Sequence, residues 1–420
     1  MEICERIDAA NRACVAAIVE AQPYWVDILP AREVIEGLPE RTVLHSGPPI
    51  AFADMCELHR RGMIGAALLE GWAGNAAEAA NMLESGAIRV DSALNYNTVG
   101  SGVGIVTPSV ALMVVEDRRT GKRAGVFPHE GAFGGGFCGW GVYSKEIAEN
   151  LRWMREELFP VVSDALRRAG GISLKPILAE SLQMGDENHS RQTAADLLTI
   201  RELMPCLARV RKSTAEIFPA VEYFTGTPRF FHNIGQAAAR AALLSAHGIA
   251  DSTVVTAMCG NGVEFGIKVS GLGDRWFTAP SPMIRGYFAR ENCSEKDQLP
   301  WIGDSSVCET VGLGGIAGAA SPIVCAYRQL KLADAVAVTR EMQTICAGRN
   351  PAYVIPNLDF DCLPVGVDVR RVVETGIAPV LHGGIIDHAG GWIGAGGARV
   401  PMECFSKALD ALRQDGVIGE

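Results

Sequence analysis

The sequence predicts a mixed α/β (α+β) protein, and three patterns predict it. Short apolar runs ending in Gly or Pro alternate with helix-length segments in the N-terminal part of the 420 residues, which is the rhythm of βαβ units. From about residue 145 to 250 the strand signals stop and apolar residues recur at helical spacing. Beyond Thr253 hairpin-like strand pairs and glycine loops return. The chain therefore divides into a Rossmann-like N-terminal α/β layer over 1–144, a helical domain over 145–250 and a C-terminal α/β domain with hairpins over 251–420, in keeping with a length too great for one ordinary core.

Each element follows from its local pattern. "MEICERIDAANRACVAAIVEAQPYW" is charged from its second residue and reads as an amphipathic helix, not a signal peptide. "RTVLHSGPPI", "IGAALLEGWAGN" and "IRVDSALNYNTVG" follow, and the loops 45–49, 70–75 and 95–102 would border the crevice beyond the carboxyl ends of parallel strands. "VALMVVEDRRTGKRAGVFP" reads as a hairpin around "RRTGKR". The helical middle is interrupted by "MGDENHSRQ" (184–192), where charged and titratable groups crowd between two helices. "TVVTAMCGNGVEFGIKVSG" reads as a hairpin around Gly260-Asn261-Gly262, followed by a strand "RWFTAP". "LADAVAVTREMQTICAG" and "ECFSKALDALRQ" read as helices, and "DVRRVVETG" and "APVLHGG" as strands.

Composition narrows the partners. Hydrophobic residues make up 48% and charged residues 20%, with a formal charge of −10 and no long basic run. This balance excludes a nucleic-acid or anionic-membrane footprint and favours a large core or a subunit interface, hence a homo-oligomer. No apolar run reaches the length of a membrane span. Twelve cysteines without a C-x-x-C pair point to reduced thiols in a cytoplasmic protein, not to a zinc knuckle. "ETVGLGGIAGAASP" places Gly312, Gly314 and Ala317 in the order G-x-G-x-x-A. That order spells a dinucleotide turn, but the stretch before it is polar where a strand is required, so a packing turn is the better reading.

Several longer phrases carry a resemblance. "LHSGPPI", "LRWMREELFPVVSDAL", "MGDENHSRQ", "VVTAMCGNGVEFGIKVSGLGDRWFTAP", "GDSSVCETVGLGGIAGAASP" and "GVDVRRVVETGIAPVLHGGIIDHAGGWIGAGGARVP" together resemble the YlbE/AllG family nearly end to end. The resemblance implies a subunit of an oxamate carbamoyltransferase, in which oxalurate and phosphate give oxamate and carbamoyl phosphate during allantoin catabolism. It also implies a hetero-complex with FdrA-like and other operon-encoded subunits, and phosphate as co-substrate in place of a bound organic cofactor. The S-x-R-T-R clamp of aspartate- and ornithine-type carbamoyltransferases is absent. A ureide or amide hydrolase and a non-catalytic structural subunit are the alternative readings.

That chemistry sets the candidate site. A small, doubly anionic substrate set asks for converging cations and N–H donors. Arg275, Arg370 and Arg371 are the candidate cations, and Gly312 and Gly314 would present consecutive N–H groups as an anion nest. His189, flanked by Asp186, Glu187 and Arg191, is the candidate proton-transfer group, with Asp186 and Glu309 as catalytic acids. The ordinary alternative makes Asp186 or Ser190 a helix cap. Asp304 and His382 are candidate substrate contacts, as are Asn97 and Asn261 through their amides, although both Asn residues also suit left-handed turns. His382, Asp387 and His388 lack a third ligand at helical spacing, so no metal is expected. Cys259 and Cys308 have no adjacent His and read as packing thiols. The loops 95–104, 259–262, 304–318 and 370–384 are expected to converge on one cleft, with the helical domain a separate core that covers it.

Overall fold

The computed structural model describes residues 3–130, 136–328 and 330–418. The chain is mixed α/β, as the sequence predicts, but its sheets are mostly antiparallel. The five-stranded N-terminal sheet has Ala111–Asp117 at its centre, and strand Pro23–Pro30 lies antiparallel to it on one side and to the edge strand Ile172–Ser173 on the other. The predicted hairpin lies within this sheet, Ala111–Asp117 pairing antiparallel with Lys122–Val126. Among the described residues parallel pairing is confined to Thr42–His45 with Arg89–Ser92 and to Thr98–Val99 with Lys122–Val126. The Rossmann-like parallel layer is thus corrected to two short pairs. Helices Glu57–Leu69 and Ala76–Glu84 do form a crossover between Thr42–His45 and Arg89–Ser92, but the next strands enter as an antiparallel hairpin, which needs no crossover.

The C-terminal hairpins fall where the sequence puts them. Val255–Asn261 pairs antiparallel with Glu264–Val269, and Phe277–Pro280 extends that sheet. Val380–Ile386 pairs with Trp392–Arg399, which also carries Arg285–Phe288. "DVRRVVETG", however, is the helix Val369–Thr375. Asp368 accepts from the Arg370 N–H as its N-cap, Gly376 closes it in the left-handed region, and Val369 and Val372 bury one face at helical spacing. Cap chemistry overrides the β-propensity of the valines.

The helical middle does not keep a core of its own. Phe159, Leu198 and Phe231 pack in one cluster with Cys14 and Trp25 before them and Val254, Val307 and Leu363 after them. Helix Phe231–Ala246 runs through this cluster with nearly every residue buried. A separate cluster under the C-terminal sheets holds Val255, Phe265, Leu381 and Phe405. Among the described residues no helix is long and apolar enough to cross a membrane.

Candidate active site

The loop 184–192 is tied down by its own carboxylates. Glu187 is buried and accepts from the backbone N–H groups of His189 at 3.0 Å and Arg191 at 2.8 Å, and from Ser190 as well. Asp186 accepts from Arg191 and from the Ala195 N–H at 2.9 Å, so it caps helix Thr193–Leu207 from a distance. The cap alternative therefore describes Asp186, whose carboxylate is held on the loop and not presented as an acid. These bonds fix His189, 3% exposed, against Glu309.

His189 and Glu309 form a buried pair. The Nδ1 of His189 lies 2.8 and 2.9 Å from the two carboxylate oxygens of Glu309. Glu309 Oε1 also accepts from the N–H groups of Gly315 and His382, each at 2.9 Å. With Nδ1–H donating to the carboxylate, Nε2 carries the lone pair. His189 stacks on His232 at 5.8 Å between centroids and meets Trp301 edge-on at 6.1 Å.

His189 and Ser190 line a cleft that opens to solvent. Its walls include Ser101, Phe127, His129, Trp140, Arg229, His232, Asn233, Trp301, Ser305, Gly383 and Trp392. Three of the four expected loops reach it, through Ser101 and Gly102, Ser305, and Gly383 and Gly384. The loop 259–262 stands one layer behind, Gly260 and Asn261 pairing with Gly303 and Ile302. Arg229 supplies the cation. It holds a left-handed backbone, φ 65°, and its guanidinium donates to His189 O and Gln192 Oε1, each at 3.3 Å. Its N–H and that of Phe231 are gripped by Asp196 at 2.7 and 2.9 Å. Strain held in this way is common where function fixes a side chain. Burial and the neighbouring Arg229 charge push His129 down to about 4, and burial with the same arginine pushes His232 well below its ordinary value. Both rings are neutral at physiological pH.

The other predicted residues serve the frame. Arg275 pairs with Asp415 at the surface. Arg370 pairs with Asp8 and Asp368, while Arg371 donates to Cys346 O. The guanidinium groups of all three are thus engaged in ion pairs or backbone bonds away from the cleft lining. Asn97 takes the left-handed turn, φ 54°, and accepts from Arg240. Asn261 accepts from Val263 and Glu264 across the hairpin turn. Asp304 ties two loops together, accepting from Gly47 at 2.6 Å and Gly100 at 2.8 Å, and burial raises it to about 7. His382 lies behind His189, its Nε2 against Arg328 and its Nδ1 3.8 Å from Glu187.

Gly312 and Gly314 are corrected as a phosphate nest. Both are buried at positive φ, but the N–H of Gly314 donates to Glu187 O at 2.7 Å and that of Gly312 to Glu309 O at 3.0 Å. The anion this turn does hold is internal, the Glu309 carboxylate on Gly315. No dinucleotide turn is built either, since a short buried helix, Val307–Thr310, precedes the glycines in place of a strand. Cys259 and Cys308 are buried, and burial pushes both thiols well up. Among the described residues no cluster of three or more His, Cys, Asp or Glu could hold a metal ion.

Sequence reasoning missed Arg229, His232, Asn233 and Trp301. A signal for the helix residues was present. Arg229, His232, Gln236 and Arg240 recur at three- and four-residue spacing through "RFFHNIGQAAARAALL", a polar stripe on a helix otherwise made for the core.

Comparisons with known proteins agree with this architecture. Residues 88–305 match the family described as oxamate carbamoyltransferase subunit AllG. The chain is 40% identical over 415 residues to the oxamate carbamoyltransferase subunit AllG of Escherichia coli K12, covering 98% of both chains. It is 34% identical over 414 residues to the uncharacterized protein YahG of the same strain, covering 97% of this chain and 86% of that protein. The crystal structure of a conserved protein of unknown function from Enterococcus faecalis V583 matches with a TM-score of 0.94 at 34% identity, covering 98% and 99% of the two chains. With this end-to-end identity and the family match, the chain belongs to the AllG family.

Proposed function

We propose that the protein is the subunit of a carbamoyltransferase that binds a ureido acid such as oxalurate, with phosphate as co-substrate and oxamate and carbamoyl phosphate as products. The observation that carries this reading is the buried His189–Glu309 pair on a cleft wall shared with Arg229. In the reaction, a phosphate oxygen forms a bond to the carbamoyl carbon and the ureide C–N bond breaks. His189 Nε2 takes the proton of hydrogen phosphate and delivers it to the departing amide nitrogen, with Glu309 holding the ring and balancing its charge. Arg229 takes carboxylate or phosphate oxygens two at a time. The neutral His129 and His232 add no second buried charge, and the tryptophans exclude water that would compete with phosphate. The membership of the family supports a complex with other subunits, and the apolar composition supports an oligomer.

The test is carbamoyl phosphate formation from oxalurate and phosphate by the purified chain, alone and with the co-expressed products of neighbouring genes. His189→Gln is expected to lower kcat by roughly 10²–10⁴-fold while the chain remains folded, which thermal melting checks. Phosphate-independent breakdown of oxalurate would favour a hydrolase instead, and full activity in His189→Gln would remove His189 from the mechanism.

A further inference from the structure

The cleft wall carries a hydrogen-bond acceptor that no described residue uses. Asn233 is 1% exposed and lines the cleft beside His232 and His189. Its Nδ2 donates to Phe127 O at 2.8 Å, while its Oδ1 is buried without a partner among the described residues. The bond to a carbonyl fixes which end of the amide is nitrogen, because an oxygen there would face another oxygen. The free end is therefore an acceptor. Gln236 Oε1 also lacks a partner, but turning its amide over would bring that oxygen onto Ser101 and His232, so Gln236 carries no argument. An amide oxygen buried without a donor is rare in folded proteins and is relieved when a bound group brings an N–H.

A ureido acid supplies such groups at its bridging N–H, which leaves with the product amide, and at its terminal –NH2, which alone is kept in carbamoyl phosphate. Phosphate and the carboxylate end of a ureido acid offer acceptors, which suit Arg229, Ser101 and Ser305. The carbamoyl –NH2 offers two donors. Resting on the carbamoyl-transfer reading above, we propose that Asn233 recognises the terminal –NH2 of the carbamoyl group and makes the site selective for carbamoyl over acyl compounds. A methyl group in place of –NH2 has nearly the same size but leaves Oδ1 unpaired, so discrimination rests on one buried hydrogen bond. Sites built to bond a polar group reject the analogue lacking it more strongly than apolar pockets reject an added group.

The experiment is calorimetric titration of the full chain with carbamoylphosphonate and acetylphosphonate, isosteric probes that do not hydrolyse. Wild type is expected to bind carbamoylphosphonate about tenfold more tightly. Asn233→Leu and Asn233→Ala, checked as folded by melting, are expected to lose that preference through weaker carbamoylphosphonate binding, with acetylphosphonate affinity little changed. Equal binding of the two probes to wild type, or a preference that survives in Asn233→Leu or Asn233→Ala, overturns the role of Asn233 and leaves the functional reading standing. Failure of wild type to bind either probe counts against the functional reading itself.

Discussion

Glu309 is surrounded on every side by donors of the protein itself: the His189 ring and the N–H groups of Gly315 and His382. Gly314 is glycine because of it. A Cβ there would overlap Glu309 Oε1 and sit 3.0 Å from His189 Cβ, at φ +59°. Gly314→Ala is thus expected to cost about 2–4 kcal/mol and to lower kcat by displacing the His189–Glu309 pair. Thermal melting and steady-state kinetics check both, and an unchanged melting temperature would refute the packing argument. Glu187 makes a pH-dependent prediction. Burial, with the neighbouring Glu309 charge, raises it from 4.5 to about 7. A raised carboxylate contributes stability that is fully present below 4.5 and is lost as pH rises to 7, roughly 3 kcal/mol for a group this deeply buried. Glu187→Gln lacks that slope, so the stability advantage of wild type over the variant is expected to shrink between pH 4.5 and 7. A difference that stays flat across calorimetric scans in this window would contradict it. His189 and Glu309 were legible as residues because a titratable loop and a polar turn stand out in an apolar chain. The partner each residue chooses was not, since Gly312 and Gly314 look alike whether their N–H groups meet a ligand or a carbonyl.

Helix Phe231–Ala246 joins the cleft to the core. Arg229, His232 and Asn233 stand at its cleft end, while Ala237, Ala238, Ala239 and Ala241 are buried along its length. Alanine allows the close approach of helix Ile3–Glu20 and the N-terminal strands. Ala241→Leu is expected to lower stability by about 1–3 kcal/mol through overpacking, which chemical denaturation measures. Unaltered stability would mean that the helix tolerates extra volume and is less closely packed than its burial indicates. This helix was legible from its spacing, as were the hairpins from their turn residues. Strand Pro23–Pro30 was hidden by its flanking prolines and by the amphipathic helix before it, and helix Val369–Thr375 by its valines. The antiparallel order of the N-terminal sheet is a long-range property that no local pattern writes, because the same apolar runs serve either direction.

At the scale of the molecule, one cluster runs from Cys14 to Val365 through the helical middle. The chain is therefore expected to unfold in one main calorimetric transition, and three separable endotherms would show cores that melt alone. Asn11 is a fastener in this unit. Its side chain donates to Thr253 Oγ1 at 2.9 Å and Asp368 Oδ2 at 3.2 Å, and accepts from the Thr253 N–H at 2.8 Å. The two ends of that fastening lie 357 residues apart in the chain. Ribosomes add about 5–20 residues per second, so helix Ile3–Glu20 emerges roughly 20–70 s before Asp368 exists to receive it. Helix Phe231–Ala246, against which it packs, is made within that interval, but Asn11 lacks its Asp368 acceptor until the end of it. The buried amide of Asn11 must then be satisfied by transient contacts or by water until synthesis has passed Asp368, close to the end of the chain.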